Sequence, residues 1–158
     1  MVSKGDTLYK YFDNDESLVI GTIVKRPSKH VKSPYMADVI LDSTNEEILA
    51  HTPALGCNGY VDKEKKVLLI KTHGKNTKSS HRIDFAYDSA CVGTNPNISN
   101  DIVGDLLKNY KLPQFTNYDI NTIKREKTVL NSRFDVYFED KDDNKYYIEV
   151  KTAPVKDH

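Results

Sequence analysis

The 158-residue chain has no tryptophan, only two cysteines and two methionines, and no excess of charge, with 23 Lys plus Arg against 23 Asp plus Glu. Each shortage excludes something. Cys57 and Cys91 are too few and too far apart for a secreted disulfide scaffold or a zinc cage, so a reducing, intracellular setting in the cytoplasm is expected. The longest apolar run is Val67 to Ile70, and the N-terminal stretch MVSKGDTLYKYFDNDES lacks the uninterrupted apolar core of a signal peptide, so no membrane association is expected. Zero net charge argues against a uniformly basic coat for nucleic acid.

The average hides two local stretches. Lys25, Arg26, Lys29 and Lys32 lie together without an acid, and seven basic residues fall between Lys63 and Arg82 with only Glu64 among them. Runs of this kind are commonly just solvated loops, and on charge alone that reading leads.

Leu18 to Lys25 and Met36 to Leu41 are short, rich in β-branched residues and bounded by turn formers, and Glu47 to Thr52, Lys66 to Thr72 and Arg82 to Tyr87 read the same way. Five such strands with turn signals at Pro27, Pro34, Pro53, Gly56, Gly59 and Gly74 predict a small antiparallel barrel of the OB type over 17–88, after an arm over 1–16. The pattern then changes. Ile102, Val103, Leu106, Leu107 and Tyr110 sit at helical spacing within Asn97 to Lys111, with Asn97 or Ser99 as cap and Pro113 as stop. Strands follow over Thr122 to Leu130, Arg133 to Glu139 and Lys145 to Lys151, which makes 89–158 a helix plus a three-stranded meander, and the whole chain α+β.

Alternation in the last hairpin puts Phe134, Val136 and Phe138 with Tyr146, Ile148 and Val150 on a covered face and leaves the other face charged. If the hairpin is symmetric about Asp142, Asp135 faces Glu149 and Arg133 faces Lys151. Opposed Cβ atoms lie about 4.5 to 5.5 Å apart. Two carboxylates at that distance repel unless a cation joins them, and Mg²⁺, or Mn²⁺, suits such a pair, with Lys151 beside it to hold a phosphate or a water. An ordinary exposed ion-pair ladder is the competing explanation.

At this point the sequence resembles the SfsA (sugar fermentation stimulation) family over most of its length. The likeness is carried by GTIVKR with MADVIL, AHTPALGCNG, VGTNPNISNDIVGDLL with LPQF, and IKREKTVLNSRFDVYFED with YYIEVKT. The resemblance implies an OB-type barrel joined to a PD-(D/E)xK nuclease-like domain and DNA as partner. By position it makes Asp135, Glu149 and Lys151 the catalytic residues, Asp135 and Glu149 the metal ligands, and Glu126 in KREK an additional acid. It also makes Lys25, Arg26, Lys29, Lys32, Lys66, Lys71 and Arg82 the cations that would meet DNA.

Two departures stand out. The family's HCPNTG-like loop is His51-Thr52-Pro53-Ala54-Leu55-Gly56 here, and the sequence runs only seven residues past Lys151 where related proteins continue through further elements of the nuclease core. The exposed apolar sheet face this implies would lean on the helix or on a second copy of the chain, as a homo-oligomer. Elsewhere His51 reads as a turn residue and Cys57 as a small residue in a turn. Tyr9, Tyr11, Tyr35, Tyr60 and Tyr87 suit either base stacking or plain strand packing. Three functions follow: a metal-dependent nuclease that binds DNA, a non-catalytic nucleic-acid-binding regulatory module, or an assembly role without nucleic acid.

Overall fold

The computed structural model describes residues 18–72 and 78–153. The arm over 1–16, with Tyr9 and Tyr11, lies outside the described residues. The chain divides between Pro96 and Asn97 into two compact units, 18–96 and 97–152 among the described residues.

In the first unit β1 (Leu18–Lys25), β2 (Met36–Leu41), β3 (Glu47–His51), β4 (Lys66–Lys71) and β5 (His81–Asp88) pair in the order β3-β2-β1-β4-β5. A parallel contact between β3 and β5, Ala50 with His81 and His51 with Arg82, closes the ring. The other pairings are antiparallel, which gives the five-stranded arrangement of an OB-type barrel. A short strand that the sequence pattern did not signal, β6 (Ala90–Gly93), turns back to pair antiparallel with β5 and belongs with the barrel.

Alternation decides the inside. Ile23, Val39, Val67, Leu69 and Ile83 are fully buried with Ala37 and Ala50, because every second residue of each strand points to the axis, and Val61 joins them from the turn between β3 and β4. Gly21 lets the barrel close. It pairs with Leu41 on one side and Val67 on the other, and a Cβ there would meet Val39 Cγ1 at 2.6 Å and the Ile40 carbonyl oxygen at 2.9 Å.

The second unit holds α1 (Pro96–Lys108) and an antiparallel meander of β7 (Tyr118–Val129), β8 (Ser132–Asp140) and β9 (Lys145–Ile148). Pro113 is not what ends the helix. Tyr110 takes φ 52°, and the Lys111 amide donates to the Leu106 carbonyl while the Tyr110 amide donates to that of Leu107, which is the Schellman closure. Leu107, Tyr118, Val136 and Phe138 form the core, with Val103, Ile123, Tyr146 and Ile148 around them. Rings do much of the packing. Phe138 stacks on Tyr146 and meets Phe115 edge-on at 5.2 Å, and the Tyr118 hydroxyl donates to the Leu107 carbonyl. No described helix is long and apolar enough to cross a membrane.

Candidate functional site

The hairpin register is the one the sequence implies: Val136 pairs with Ile148, Tyr137 with Tyr147 and Phe138 with Tyr146. The ladder ends at the pair Val136 and Ile148, so Asp135 and Glu149 lie just beyond it. The facing of the side chains differs from strict alternation. Phe134 does not join the core of Val136 and Phe138; its ring lies 5.1 Å from that of Tyr147, which also meets Tyr137, and the Lys127 ammonium sits over Tyr137. Asp135 instead reaches α1, where Asn100 Nδ2 donates to its Oδ1 at 3.1 Å. On the neighbouring strand Glu126 has φ 57°, and β7 pairs Arg125 with Val136 and Lys127 with Phe134 in one unbroken register, with Glu126 and Asp135 opposite each other between those pairs.

The Asp135 carboxylate is held at both oxygens, because the Val150 amide donates to Oδ2 at 2.7 Å. That bond marks where the ladder gives way, so β9 ends at Ile148 and not at Lys151. Lys151 Nζ lies 2.6 Å from Glu149 Oε1. Its pKa is raised above the ordinary lysine value, first by that hydrogen bond, then by the charge of Glu149, with Asp135 adding to it. Thr152 donates to Ser99 Oγ at 2.8 Å, which ties the strand end to the start of α1. Glu126 does not turn to the other two acids; it pairs with Arg133 at 2.9 Å, and Arg133 thus faces Glu126 and not Lys151.

The barrel cations divide into two groups. Arg26 donates to the carbonyls of Ala54 at 2.7 Å and Pro34 at 3.3 Å, and so clamps the loop after His51. Lys29 pairs with Glu47 at 2.6 Å, Lys66 with Asp42 at 2.5 Å, and Arg82 with the fully buried Asp84 at 2.7 Å. Lys25, Lys32 and Lys71 are exposed, with no ion pair among the described residues. His51 stacks on Tyr35, and its pKa is lowered by burial and then by Arg82. Cys57 is buried, its thiol directed at the Ala54 carbonyl at 3.6 Å, which fits a packing residue. Tyr87 is exposed on β5.

One group escaped sequence reasoning. His30, Asp38 and Glu47 place ligand atoms within 4.8 Å of one another and could hold a metal ion. As the chain stands, Asp38 accepts from Ser28 Oγ and the Lys29 amide, while Glu47 is matched by Lys29. Three residues from a loop and two strands carry no common spacing, so only the barrel's pairing reveals them. Asn100 was missed for the same reason, standing 35 residues from Asp135.

A closed barrel of OB type, followed in the chain by a helix-and-meander unit that carries Asp135, Glu149 and Lys151, defines a two-unit α+β protein of a recognisable class. Residues 97–157 match the model of the sugar fermentation stimulation protein RE domain, SfsA. The chain is 31% identical over 143 residues to the sugar fermentation stimulation protein homolog of Clostridium novyi (strain NT), a match covering 89% of this chain and 58% of that one. It is 33% identical over 137 residues to the homolog of Clostridium perfringens (strain 13 / Type A), covering 85% and 56%. A solved structure, that of Pyrococcus furiosus SfsA in complex with Ca²⁺, superposes with a TM-score of 0.72 at 16% identity over 89% of this chain and 56% of that one, a likeness of fold. The chain belongs to the sugar fermentation stimulation family, and it spans a little over half the length of these relatives.

Proposed function

We propose that the chain binds DNA and carries a nuclease-like metal site for phosphodiester hydrolysis. The observation that supports this best is the convergence of Asp135 with the segment from Glu149 to Lys151: the Val150 amide fastens the Asp135 carboxylate to that segment, where the Lys151 ammonium meets Glu149. The donor set suits a hard cation. An ionised carboxylate offers about four lone-pair positions, and Asp135 has two engaged by Asn100 and Val150, which leaves room for Mg²⁺ or Mn²⁺ shared with Glu149. A bound divalent ion would supply Lewis-acid polarisation of a phosphoryl oxygen and a more acidic water. The relative solved with Ca²⁺ gives the same kind of support, since Ca²⁺ is likewise a hard, oxygen-seeking ion.

The rest falls to the chain's own groups. Lys151, with its pKa raised by Glu149, stays cationic at neutral pH and therefore acts as a charge, drawing the phosphate in and orienting the water, not as a base. Glu126, matched by Arg133, is the least engaged with this set. Lys25, Lys32 and Lys71 on the barrel are the cations best placed to exchange counterions for DNA phosphates, while Arg26, Lys29, Lys66 and Arg82 already serve protein partners.

A second reading, a non-catalytic nucleic-acid-binding module, is favoured by one fact: Asp135 and Glu149 are satisfied by protein donors without any ion. The deciding experiment is cleavage of single-stranded and duplex DNA in Mg²⁺ or Mn²⁺ by the chain and by Asp135→Ala purified in parallel. Cleavage lost in the variant supports the metal site. Retained gel-shift binding with no cleavage by either protein leaves the module, and neither binding nor cleavage removes both readings.

A further inference from the structure

We infer that Asn100, on the first turns of α1, is the positioning residue of the carboxylate site: it fixes the orientation in which Asp135 meets a cation. This rests on the metal-site reading above, and the argument is geometric. A free aspartate carboxylate turns about its last bond and presents either oxygen to an ion. Asp135 is braced on both, by Asn100 Nδ2 at 3.1 Å on Oδ1 and by the Val150 amide at 2.7 Å on Oδ2, so its plane is set by one donor from the helix and one from the strand end.

The brace is itself anchored. Ser99, the residue before Asn100, accepts a hydrogen bond at 2.8 Å from Thr152, two residues beyond Val150. The helix start therefore holds Asp135 directly through Asn100, and holds the segment that carries Glu149, Val150 and Lys151 through Ser99. The chemistry of residue 100 matters as well as its place. A carboxylate there would add a third negative charge beside Asp135 and Glu149, whereas a carboxamide donates without repelling. Groups that orient a ligand from behind in this way commonly govern metal affinity more than they govern the fold.

The test compares the wild-type chain with Asn100→Leu, which keeps the volume and removes the donor, Asn100→Gln, which restores a carboxamide, and Thr152→Val. Mn²⁺ binding is measured by titration calorimetry, with DNA cleavage followed as a function of Mn²⁺ concentration. Asn100→Leu should raise the Mn²⁺ dissociation constant and the concentration giving half-maximal cleavage by about 10 to 100-fold, with the rate at saturating Mn²⁺ much less affected. Asn100→Gln should recover part of the loss, and Thr152→Val should show a smaller shift in the same direction. A variant with lowered metal-free melting temperature but unchanged Mn²⁺ affinity would overturn the inference, because Asn100 would then be structural only. If the wild-type chain takes up no Mn²⁺, the metal-site reading fails by itself, and the positioning role is decided in the metal-free protein by hydrogen exchange of the Val150 amide. Faster exchange in Asn100→Leu supports it; unchanged exchange removes it.

Discussion

The two units reach stability by different routes. The barrel encloses an aliphatic core on all sides, and its ring closure leaves the strands from β1 to β5 with neighbours on both edges. The helix-and-meander unit has only four fully buried core residues, two of them aromatic, under a sheet of three strands whose outer two are edges among the described residues. The same difference runs through the charges. In the barrel Lys29, Lys66 and Arg82 are each matched by an acid, whereas the second unit gathers Asp135, Glu149 and Lys151 at the place where its ladder ends. A closed sheet has little spare backbone to offer; a sheet that frays at one strand end has an amide, that of Val150, free to hold a side chain.

The largest effect that would test this contrast is in the smaller core. Phe138→Ala removes a ring that touches Phe115, Tyr118 and Tyr146, and it should destabilise its own unit by about 3 to 5 kcal/mol. Urea unfolding followed by resolved NMR signals of 97–152 measures it; a loss under 1 kcal/mol would show that the aromatic cluster is not what holds this unit. In the barrel, Gly21→Val should cost about 1 to 3 kcal/mol, because its Cβ alone would press on Val39 and on the backbone at Ile40. Signals from β1, β2 and β4 report that loss, and a neutral result would mean the barrel can open at β1.

A smaller and more specific comparison separates clamp from contact among the cations. Replacing Lys25, Lys32 and Lys71 with Gln should flatten the salt dependence of DNA binding by up to about 0.7 to 0.9 log units per log unit of salt for each cation lost, with little change in stability. Arg26→Lys keeps the charge but loses the fork that reaches Ala54 and Pro34, so it should leave that slope alone and cost about 1 kcal/mol of barrel stability. The reverse pattern would exchange the roles assigned to them.

How far the sequence foretold all this also differs between the units. Strands with alternating β-branched residues were legible in both, since burial on one face writes period two directly into the sequence, and the register of β8 with β9 followed from the turn centred on Asp142. β6 was not legible, because four residues are too few to carry a period. Nor was the turning of Asp135 toward α1, which shows only in its bonds to Asn100 and to the Val150 amide. The hairpin pattern marked Asp135, Glu149 and Lys151 as candidates and the family resemblance gave them roles; the bonds from Asn100 to Asp135 and from Thr152 to Ser99 were not legible, because such bonds are made by tertiary packing.

The smallest expected effect concerns pH, and it should divide the units cleanly. His51 and His81, both in the barrel, have pKa values below the ordinary histidine value, chiefly through burial, with Arg82 and Lys71 respectively pushing the same way against Asp84 and Glu46. A histidine that protonates less readily when folded leaves the unfolded chain holding more protons just below its ordinary value of about 6.5. Barrel stability should therefore decline as pH falls through that value and stop declining, on this account, below the folded values. Residues 97–152 contain no histidine, and there Asp140 is held below the ordinary aspartate value, first by the Asn144 side chain. Its contribution is complete above about pH 4 and is lost only as pH falls through its depressed value. Acidifying from pH 8 to pH 5 should thus weaken the barrel and spare the second unit, as read by amide exchange within each. His51→Gln with His81→Gln should level the barrel's response, and an equal decline in both units would show that these two histidines do not set it.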